Sequence, residues 1–265
     1  MRSIECDTIS DIIITHWHGD HTGGLQQLIK LFPDVRVSKY NINLRGLAPD
    51  TLQYNSIHAT NNINTTQSIH TTGATLYPLY TPGHTSDHIC LYLKEQNILF
   101  CGDTVLGNST AIFSSLKPYM NSLQLIHSLQ PDILYSAHGD VISDGVKRID
   151  MYINHRMQRE SQILNTINHS NHKLKPIEIV HEIYIDLDDR LIAAATNNVV
   201  LHLEKLVLDE QILYESNNNT VITDTIDDAD TNNESSEESG KQRILERSEW
   251  LWYSKKLHTI SKSAL

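Results

Sequence analysis

Seven histidine and aspartate side chains stand in four short motifs of this sequence. The first motif, THWHGDH at residues 15–21, brings three histidines and one aspartate together. The other motifs are TPGHT around His84, CGD ending at Asp103 and AHGD around His138. Imidazole suits zinc and iron, and carboxylate oxygens bind most divalent ions. This donor set therefore predicts a zinc site, with manganese or iron as alternatives.

We assign the seven side chains to two metal ions. The first ion takes His16, His18 and His84. The second ion takes Asp20, His21 and His138, and Asp103 bridges the two ions. Two ions about 3.5–4 Å apart share a water molecule, lower its pKa from about 15.7 toward about 7, and hold both the attacking and the leaving oxygen. The sequence therefore predicts two Zn²⁺ per chain, with Asp20 and Asp103 as the catalytic carboxylates.

The remaining histidines have a simpler interpretation. The chain contains 15 histidines, and a lone histidine such as His202 is more often a surface or core residue than a ligand. His88, just past TPGHT, is expected to support the site rather than to bind a metal. Thr15, Thr81 and Thr85 are candidates to orient the ligands, which metal sites require.

Each ligand motif follows a predicted strand. TISDIIIT leads into the first motif, ATLYPLY into TPGHT, NILF into CGD and DILYS into AHGD. Helical patterns follow in TGGLQQLIKLFP, KPYMNSLQLIHSLQ and DGVKRIDMYINHRMQRESQILNTINH. Ligand sites of α/β proteins commonly lie where strands end. We therefore expect an α/β domain in which four strand ends surround one metal centre.

A smaller unit is predicted after the long helix. KPIEIVHEIY and LIAAATNNVVLHLEKLVLDEQILYE indicate two or three short helices, a turn and a strand. This order is compatible with a winged helix and also with another compact helical appendage. KQRILERSEWLWYSKKL is amphipathic and predicts a C-terminal helix. We therefore predict four segments: the α/β domain at 1–150, the linking helix with the small domain at 151–216, an acidic linker at 217–240 and the C-terminal helix at 241–265.

Charge is distributed unevenly along the chain. The formal net charge is −11, and residues 217–240 contain seven acids and no base, which leaves −4 for the rest. Their low hydrophobicity and high charge predict a disordered linker. Residues 145–175, in contrast, contain six bases and two acids. This local basic excess keeps a nucleic-acid partner open despite the acidic total.

The sequence predicts an intracellular protein without a membrane segment. No apolar run approaches the roughly 20 residues of a membrane span, and MRSIECDTISD is too polar for the apolar part of a signal peptide. The three cysteines, Cys6, Cys90 and Cys101, are odd in number and form no C-x-x-C pair. We therefore expect reduced thiols rather than disulfides or a thiolate zinc site.

The first motif resembles the H-x-H-x-D-H hallmark of the metallo-β-lactamase superfamily, and TPGHT, FCGDTVLG and AHGD follow in that superfamily's order and separations. Within it, THWHGDHTGG, YTPGHTSDHICLYL, GDTVLGNST, YMNSL and INHRMQRESQIL resemble the β-lactamase-like protein 2 group, from about residue 9 to about residue 215. The resemblance implies an αββα sandwich followed by a winged-helix-like domain. It also implies that the seven assigned residues are the ligands of a dinuclear centre.

The resemblance further implies a function. Animal members of the group are described as zinc-dependent endoribonucleases that act on single-stranded RNA in mitochondria. We therefore expect a zinc-dependent hydrolase that cleaves single-stranded RNA through a metal-bridging hydroxide. Arg156 and Arg159, in the basic stretch, are expected to contact the RNA backbone. The expected location is the mitochondrial matrix or the cytoplasm.

Two alternative functions stay open. One is a thioesterase resembling glyoxalase II, which would use the same hydroxide on a thioester carbonyl, although its helical tail differs from the winged-helix-like tail predicted here. The other is a catalytically impaired short form. Members of the group carry further strands before the first motif, and the resemblance implies a sandwich that is missing these first strands. The sequence leaves the oligomeric state open.

Overall fold

The first described strand leads directly into the histidine-rich motif. The computed structural model describes residues 8–40, 61–62, 65, 67–215, 221–222, 247 and 249–255. In it, β1 (Asp11–Ile14) ends one residue before Thr15, and two helices follow, α1 (Gly19–Thr22) and α2 (Leu25–Leu31). The predicted order of strand, ligand motif and helix is confirmed for this segment.

A three-stranded parallel sheet is built around β1. Its other strands are β2 (Arg36–Lys39) and β3 (Asn61–Asn62), in the order β1-β2-β3. Helix α2 lies in the connection from β1 to β2, because parallel neighbours need a crossover. Ile14, Leu25 and Val37 are buried together in one apolar cluster. This packing fixes the end of β1 and the loop that follows it.

A mixed five-stranded sheet carries the other ligand loops. Its strands are adjacent in chain order: β4 (Ile69–Thr71), β5 (Ala74–Tyr80), β6 (Ile89–Leu93), β7 (Ile98–Gly102) and β8 (Ile133–Ser136). Neighbours from β4 to β7 are antiparallel. Strands β7 and β8 are parallel, and α3 (Leu116–Ser128) connects them. The ends of β7 and β8 therefore lie at the same edge of the sheet.

The two sheets share an apolar cluster. Tyr40 follows β2, and it is buried together with Ile89 and Leu91 of β6. Ile13 of β1 and Tyr80 of β5 pack against the same cluster. Because both sheets contribute to it, the end of β1 is held beside the five-stranded sheet.

The chain divides into two compact units. The first consists of residues 1–113 and 118–150, and the second of residues 114–117 and 151–265. Helix α4 (Gly145–His169) begins in the first unit and ends in the second. All seven candidate ligands belong to the first unit.

The second unit contains helices followed by a small sheet. After α4 come α5 (Pro176–Ile183) and α6 (Asp189–Leu208), then β9 (Ile212–Glu215). These two helices and the following strand confirm the elements predicted for the region. Ile163, Ile179, Val199, Leu203 and Trp252 are among the buried residues of its core.

Two predictions about the C-terminal region need correction. Within the segment predicted as a C-terminal helix, Leu251–Ser254 form a strand, β11, which pairs antiparallel with β9. Within the segment predicted as a disordered linker, Val221–Ile222 form β10, which pairs with the other edge of β9. The other residues of 217–246 lie outside the described residues. The partner of β11 lies far away in the sequence, so the local amphipathic pattern was wrongly interpreted as a helix.

One described helix, α6, is long and apolar enough to span a membrane by length and composition alone. In the structure its buried face includes Val199 and Leu203 of the second unit's core. Two polar side chains, His202 and Glu204, are buried on the same helix. Part of its apolar surface is therefore packed inside this unit, whereas Leu191 near its start is exposed.

Candidate metal centre

Four loops of the first unit carry the seven candidate ligands. The first loop follows β1 and runs into α1, and the other three follow β5, β7 and β8. The ligands form two groups whose donor atoms lie within 4.8 Å of one another in each group. The first group consists of His16, His18, His84 and Asp103, and the second consists of Asp20, His21 and His138.

The first group brings together three ring nitrogens, those of His16, His18 and His84. His18 Nδ1 lies 3.0 Å from His16 Nε2 and 3.0 Å from His84 Nε2. The two Nε2 atoms lie 3.2 Å apart. In a tetrahedral zinc site with Zn–N distances of about 2.0–2.1 Å, neighbouring donor atoms are about 3.3 Å apart. The nitrogen triangle thus has nearly the size that one metal ion requires.

Hydrogen bonds behind the first group direct lone pairs inward. A carbonyl oxygen only accepts, so the contact of His84 Nδ1 with Ile112 O at 2.8 Å places the proton on Nδ1 and the lone pair on Nε2. Thr15 Oγ1 lies 3.1 Å from Nδ1 of His16. Burial lowers the pKa of both His16 and His84, which favours neutral rings. Neutral nitrogens that converge in this way fit a cation.

The second group, Asp20, His21 and His138, is more open to solvent. Asp20 Oδ2 lies 3.1 Å from His138 Nε2 and 3.5 Å from His21 Nε2. The side chains of Asp20 and His138 are 57% and 47% exposed, whereas the His16 side chain is fully buried. A substrate can therefore approach the centre from the side of the second group.

Asp103 belongs to the first group and also lies beside the second. Its Oδ2 atom is 3.5 Å from His84 Nε2 and 3.4 Å from His138 Nε2. Its Oδ1 atom is 3.4 Å from His21 Nε2. Asp103 Oδ1 and His21 Nε2 are both buried without a hydrogen-bond partner in the part of the chain that the structure describes. Such buried, unpaired atoms are costly unless an ion binds them. The position of Asp103 is the one expected of a bridging carboxylate.

His88 holds Asp103 from behind. Its Nε2 accepts the backbone N–H of Asp103 at 3.1 Å, so its proton lies on Nδ1, which donates to Thr81 Oγ1 at 2.9 Å. His88 is fully buried, and burial lowers its pKa well below the usual value. Its ring therefore stays neutral and acts as an acceptor. His88 belongs to neither ligand group, in agreement with its interpretation as a supporting residue.

The three candidate orienting threonines have different partners. Thr15 contacts a ligand directly, and Thr81 acts through His88. Thr85 donates to Asp87 Oδ1 at 2.7 Å instead, and Asp87 also pairs with Lys39. Sequence reasoning missed the carbonyl of Ile112, because no residue type marks a backbone carbonyl as a histidine partner.

The two arginines predicted to contact RNA lie in the part of α4 that belongs to the second unit. Arg156 is only 5% exposed, and its Nη1 atom lies 3.2 Å from His155 Nδ1. This burial contradicts the expectation that Arg156 contacts a nucleic-acid backbone. Arg159 is half-buried, and its guanidinium lies over the Tyr184 ring, 4.1 Å from the centroid. Arg159 therefore keeps an accessible part.

Ion pairs reduce the basic excess of residues 145–175. Lys173 pairs with Glu215, and Lys175 Nζ lies 2.7 Å from Glu249 Oε2. Both acids lie outside the stretch in which the excess was counted. The uneven charge seen in the sequence is thus partly neutralised in the fold.

Two family models match the chain. The model described as metallo-beta-lactamase superfamily matches residues 3–138, which include all seven candidate ligands. The model described as beta-lactamase associated winged helix domain matches residues 176–218. The second match covers α5, α6 and β9, and it distinguishes the winged helix from the other helical appendages that the sequence left open.

Several proteins are similar to this chain over most of its length. Beta-lactamase-like protein 2 homologs of Drosophila melanogaster and Caenorhabditis elegans are 38% and 36% identical over 204 and 201 residues, which cover 75% and 76% of this chain. The aligned regions span 68% and 66% of those proteins. An atrochrysone carboxyl ACP thioesterase of Passalora fulva is 38% identical over 184 residues, covering 67% of this chain and 52% of that protein.

Solved structures share the fold. A beta-lactamase domain protein from Burkholderia ambifaria superposes with a TM-score of 0.62 at 17% identity, covering 81% of this chain and 73% of that one. A metallo-beta-lactamase family protein from Thermus thermophilus gives a TM-score of 0.58 at 19% identity, covering 77% and 76%. The predicted sandwich with a winged-helix domain is confirmed as the fold class.

Proposed function

The chain belongs to the metallo-β-lactamase superfamily, and on that premise we propose that it is a zinc-dependent endoribonuclease that cleaves single-stranded RNA. Its family and its histidine and aspartate groups make it a hydrolase of the metallo-β-lactamase fold with candidate metal ligands. The metal identity, the count of two ions and the RNA substrate are the parts that we add.

One observation carries the proposal. Side chains from four separate loops form two donor groups, and one carboxylate, Asp103, lies within 3.5 Å of nitrogens in both. Two-metal centres of this kind serve nucleases and phosphatases, since paired cations can stabilise both oxygens of an in-line displacement at phosphorus. A site with only the first group would hold one cation and could not stabilise both oxygens in this way.

Zinc is the metal that the donor set favours. Imidazole nitrogens and carboxylate oxygens are its usual ligands alongside thiolates. The cysteines Cys90 and Cys101 are buried, and burial raises the pKa of Cys90 to about 11, so thiolate ligation there is disfavoured. When bound, two zinc ions would lower the pKa of a water between them and neutralise charge on the phosphate.

The protein's own groups would divide the remaining work. Asp20 has an exposed carboxylate beside His138, and it can accept the proton that the attacking water loses. Asp103, held by His88, keeps the two ligand groups at a fixed separation. Attack of water on phosphorus breaks the bond between phosphorus and the 3′-oxygen, and the proton taken by Asp20 can pass to that oxygen, which gives a 5′-phosphate and a 3′-hydroxyl. Arg159 can contact the RNA backbone through its accessible part.

The proposal is tested with purified, metal-free chain and a 5′-labelled single-stranded RNA oligomer. We expect no cleavage without metal, cleavage after Zn²⁺ is added, and new ends that carry 5′-phosphate. The same sequence as DNA and as duplex RNA tests the substrate class. Intact RNA after Zn²⁺ loading, or cleavage by the chain that persists in chelator, would contradict the proposal, whereas cyclic phosphate ends would identify a contaminating ribonuclease.

A second candidate is thioester hydrolysis, and the similarity to a fungal acyl carrier protein thioesterase favours it. That relative is as identical to this chain as the fly protein is, at 38%, although over a shorter region. The same centre would direct water onto a thioester carbonyl and release a thiol. Assaying one zinc-loaded preparation on RNA, on lactoylglutathione and on an acyl N-acetylcysteamine thioester separates the two. If the thioester is hydrolysed while the RNA stays intact, thioester hydrolysis replaces our first proposal.

A further inference from the structure

The loop that carries His138 is held mainly through its backbone. The backbone N–H of Gly107 donates to the carbonyl of His138 at 2.9 Å, and Ser136 Oγ donates to the same carbonyl at 3.0 Å. Nε2 of the His138 imidazole itself lies 3.1 Å from Asp20 Oδ2 and 3.4 Å from Asp103 Oδ2. Its position therefore depends on the loop after β7, to which Gly107 belongs.

These two loops touch backbone to backbone. A Cβ atom on Gly107 would lie 2.3 Å from Asp140 N and 2.4 Å from Asp140 O, which is impossible without movement. A Cβ atom on Gly139 would lie 2.7 Å from Asn108 N, and Gly139 has a φ of +86°. Only glycine allows this close approach. A shift of the Gly107 loop is therefore transmitted directly to the loop that carries His138.

Arg148 fixes the Gly107 loop from the side of α4. Its Nε and Nη2 atoms donate to Leu106 O at 3.2 and 2.8 Å, and Nη2 also donates to Gly107 O. A guanidinium offers several donors in one plane, which suits two successive carbonyls. Two contacts, from Arg148 to Gly107 and from Gly107 to His138, thus connect the guanidinium to a ligand of the second group.

The first group has support that does not pass through Arg148. His84 donates to Ile112 O, and His16 lies against Thr15. His16 is also fully buried, whereas the His138 side chain is 47% exposed and has less packing to hold it. Loss of the Arg148 contacts should therefore act on the second metal position more than on the first.

We propose that Arg148 is a positioning residue that sets the affinity of the second metal position through the Gly107 loop and His138. The proposal rests on the metal-binding part of the proposed function and is independent of the RNA substrate. Groups that hold metal ligands in place typically contribute about 10–100-fold to metal affinity. We expect that effect on one of two bound equivalents, with the other unchanged.

The experiment measures metal binding and not activity. The metal-free full chain is titrated with Zn²⁺ against a chromophoric chelator, and bound zinc is counted by elemental analysis. Arg148→Ala should weaken the second equivalent about 10–100-fold, and Arg148→Lys, which keeps the charge without the planar fork, should weaken it less. Lys147→Ala is the matched control, because this exposed neighbour on α4 has the same charge.

If Arg148→Ala fails to fold, the same zinc titration is carried out on Arg148→Lys and Asn108→Ala. With its amide oxygen and nitrogen exchanged, Asn108 donates to Asp140 Oδ2 at 3.1 Å and joins the same two loops. Selective loss of one equivalent in these variants supports the proposal. Wild-type affinity for both equivalents in every variant, or an equal loss of both, overturns it. If the wild-type chain binds no zinc, the proposed function fails as well, whereas intact RNA with two bound zinc ions would overturn only the RNA assignment.

Discussion

Histidines that are fully or partly buried occur in two opposite settings in this molecule. In the metal centre, His16, His18 and His84 direct ring nitrogens toward one point, with Asp103 beside them. In the second unit, His202 is fully buried, and neither ring nitrogen has a hydrogen-bond partner among the described residues. A carboxylate oxygen of Glu160 lies 4.0 Å from its Nδ1 atom.

The surrounding charge distinguishes these settings. Burial lowers the pKa of His202 to about 3, and the positive charges of Arg156, Arg159 and Lys205 act in the same direction. Cations around His202 would repel a metal ion, whereas carboxylates in the metal centre attract one. A buried histidine without a partner is thus not sufficient evidence for a metal site. Converging nitrogens together with a carboxylate are the more specific indication.

The largest effect is expected when the carboxylate shared by both ligand groups loses its charge. Asp103→Asn keeps the shape of the side chain but loses the carboxylate that lies between the groups. Because both metal positions lose a negatively charged ligand, we expect zinc content to fall and hydrolysis to drop on the order of 10³-fold or more. Zinc counting and single-turnover cleavage measure the two effects.

Asp150→Asn is the control for Asp103→Asn. Asp150 is half-exposed and pairs with His127 at 3.0 Å, so its loss should change hydrolysis little. If Asp103→Asn binds two zinc ions as tightly as the wild-type chain, Asp103 is not the shared ligand.

The next test compares a ligand from each group. His84→Ala removes a nitrogen from the buried first group, and His138→Ala removes one from the exposed second group. Because a ligand contributes more than the residues that orient it, each variant should weaken one zinc equivalent by more than about 100-fold. Competition titration with a chelator shows which equivalent is lost. Loss of the same equivalent in both variants would mean that the two groups do not bind separate ions.

A smaller effect is expected for the histidine that supports Asp103. His88→Gln retains a polar side chain but loses the ring that joins Asp103 N to Thr81. We expect zinc affinity to fall about 10–100-fold. The metal-free chain should also lose about 1–3 kcal/mol of unfolding free energy, because buried polar groups lose their partners. Urea unfolding and zinc titration are the two measurements. Unchanged zinc affinity at reduced stability would restrict His88 to a structural role.

The ligand motifs were recognisable from sequence because each one follows a strand, and strand ends place side chains at a sheet edge. Ile112 was missed, since its contribution is a carbonyl that any residue could supply. The segment around Trp252 was predicted as a helix because its amphipathic pattern is local, whereas its strand depends on pairing with β9. Arg156 was expected at the surface because charge alone does not reveal burial.

The smallest expected effect is the pH dependence of the second unit. The folded pKa of His202, about 3, lies below the ordinary value of 6.5, so between these values only the unfolded chain binds the proton. Unfolding free energy should therefore fall as pH decreases from about 6.5, by at most about 1.4 kcal/mol per pH unit from this group. His202→Leu should have a flatter profile, measured by urea unfolding of the metal-free chain from about pH 7 to about pH 5 with tryptophan fluorescence as the probe. Parallel profiles for His202→Leu and the wild-type chain would mean that folding does not change the pKa of His202, which would contradict the lowered value.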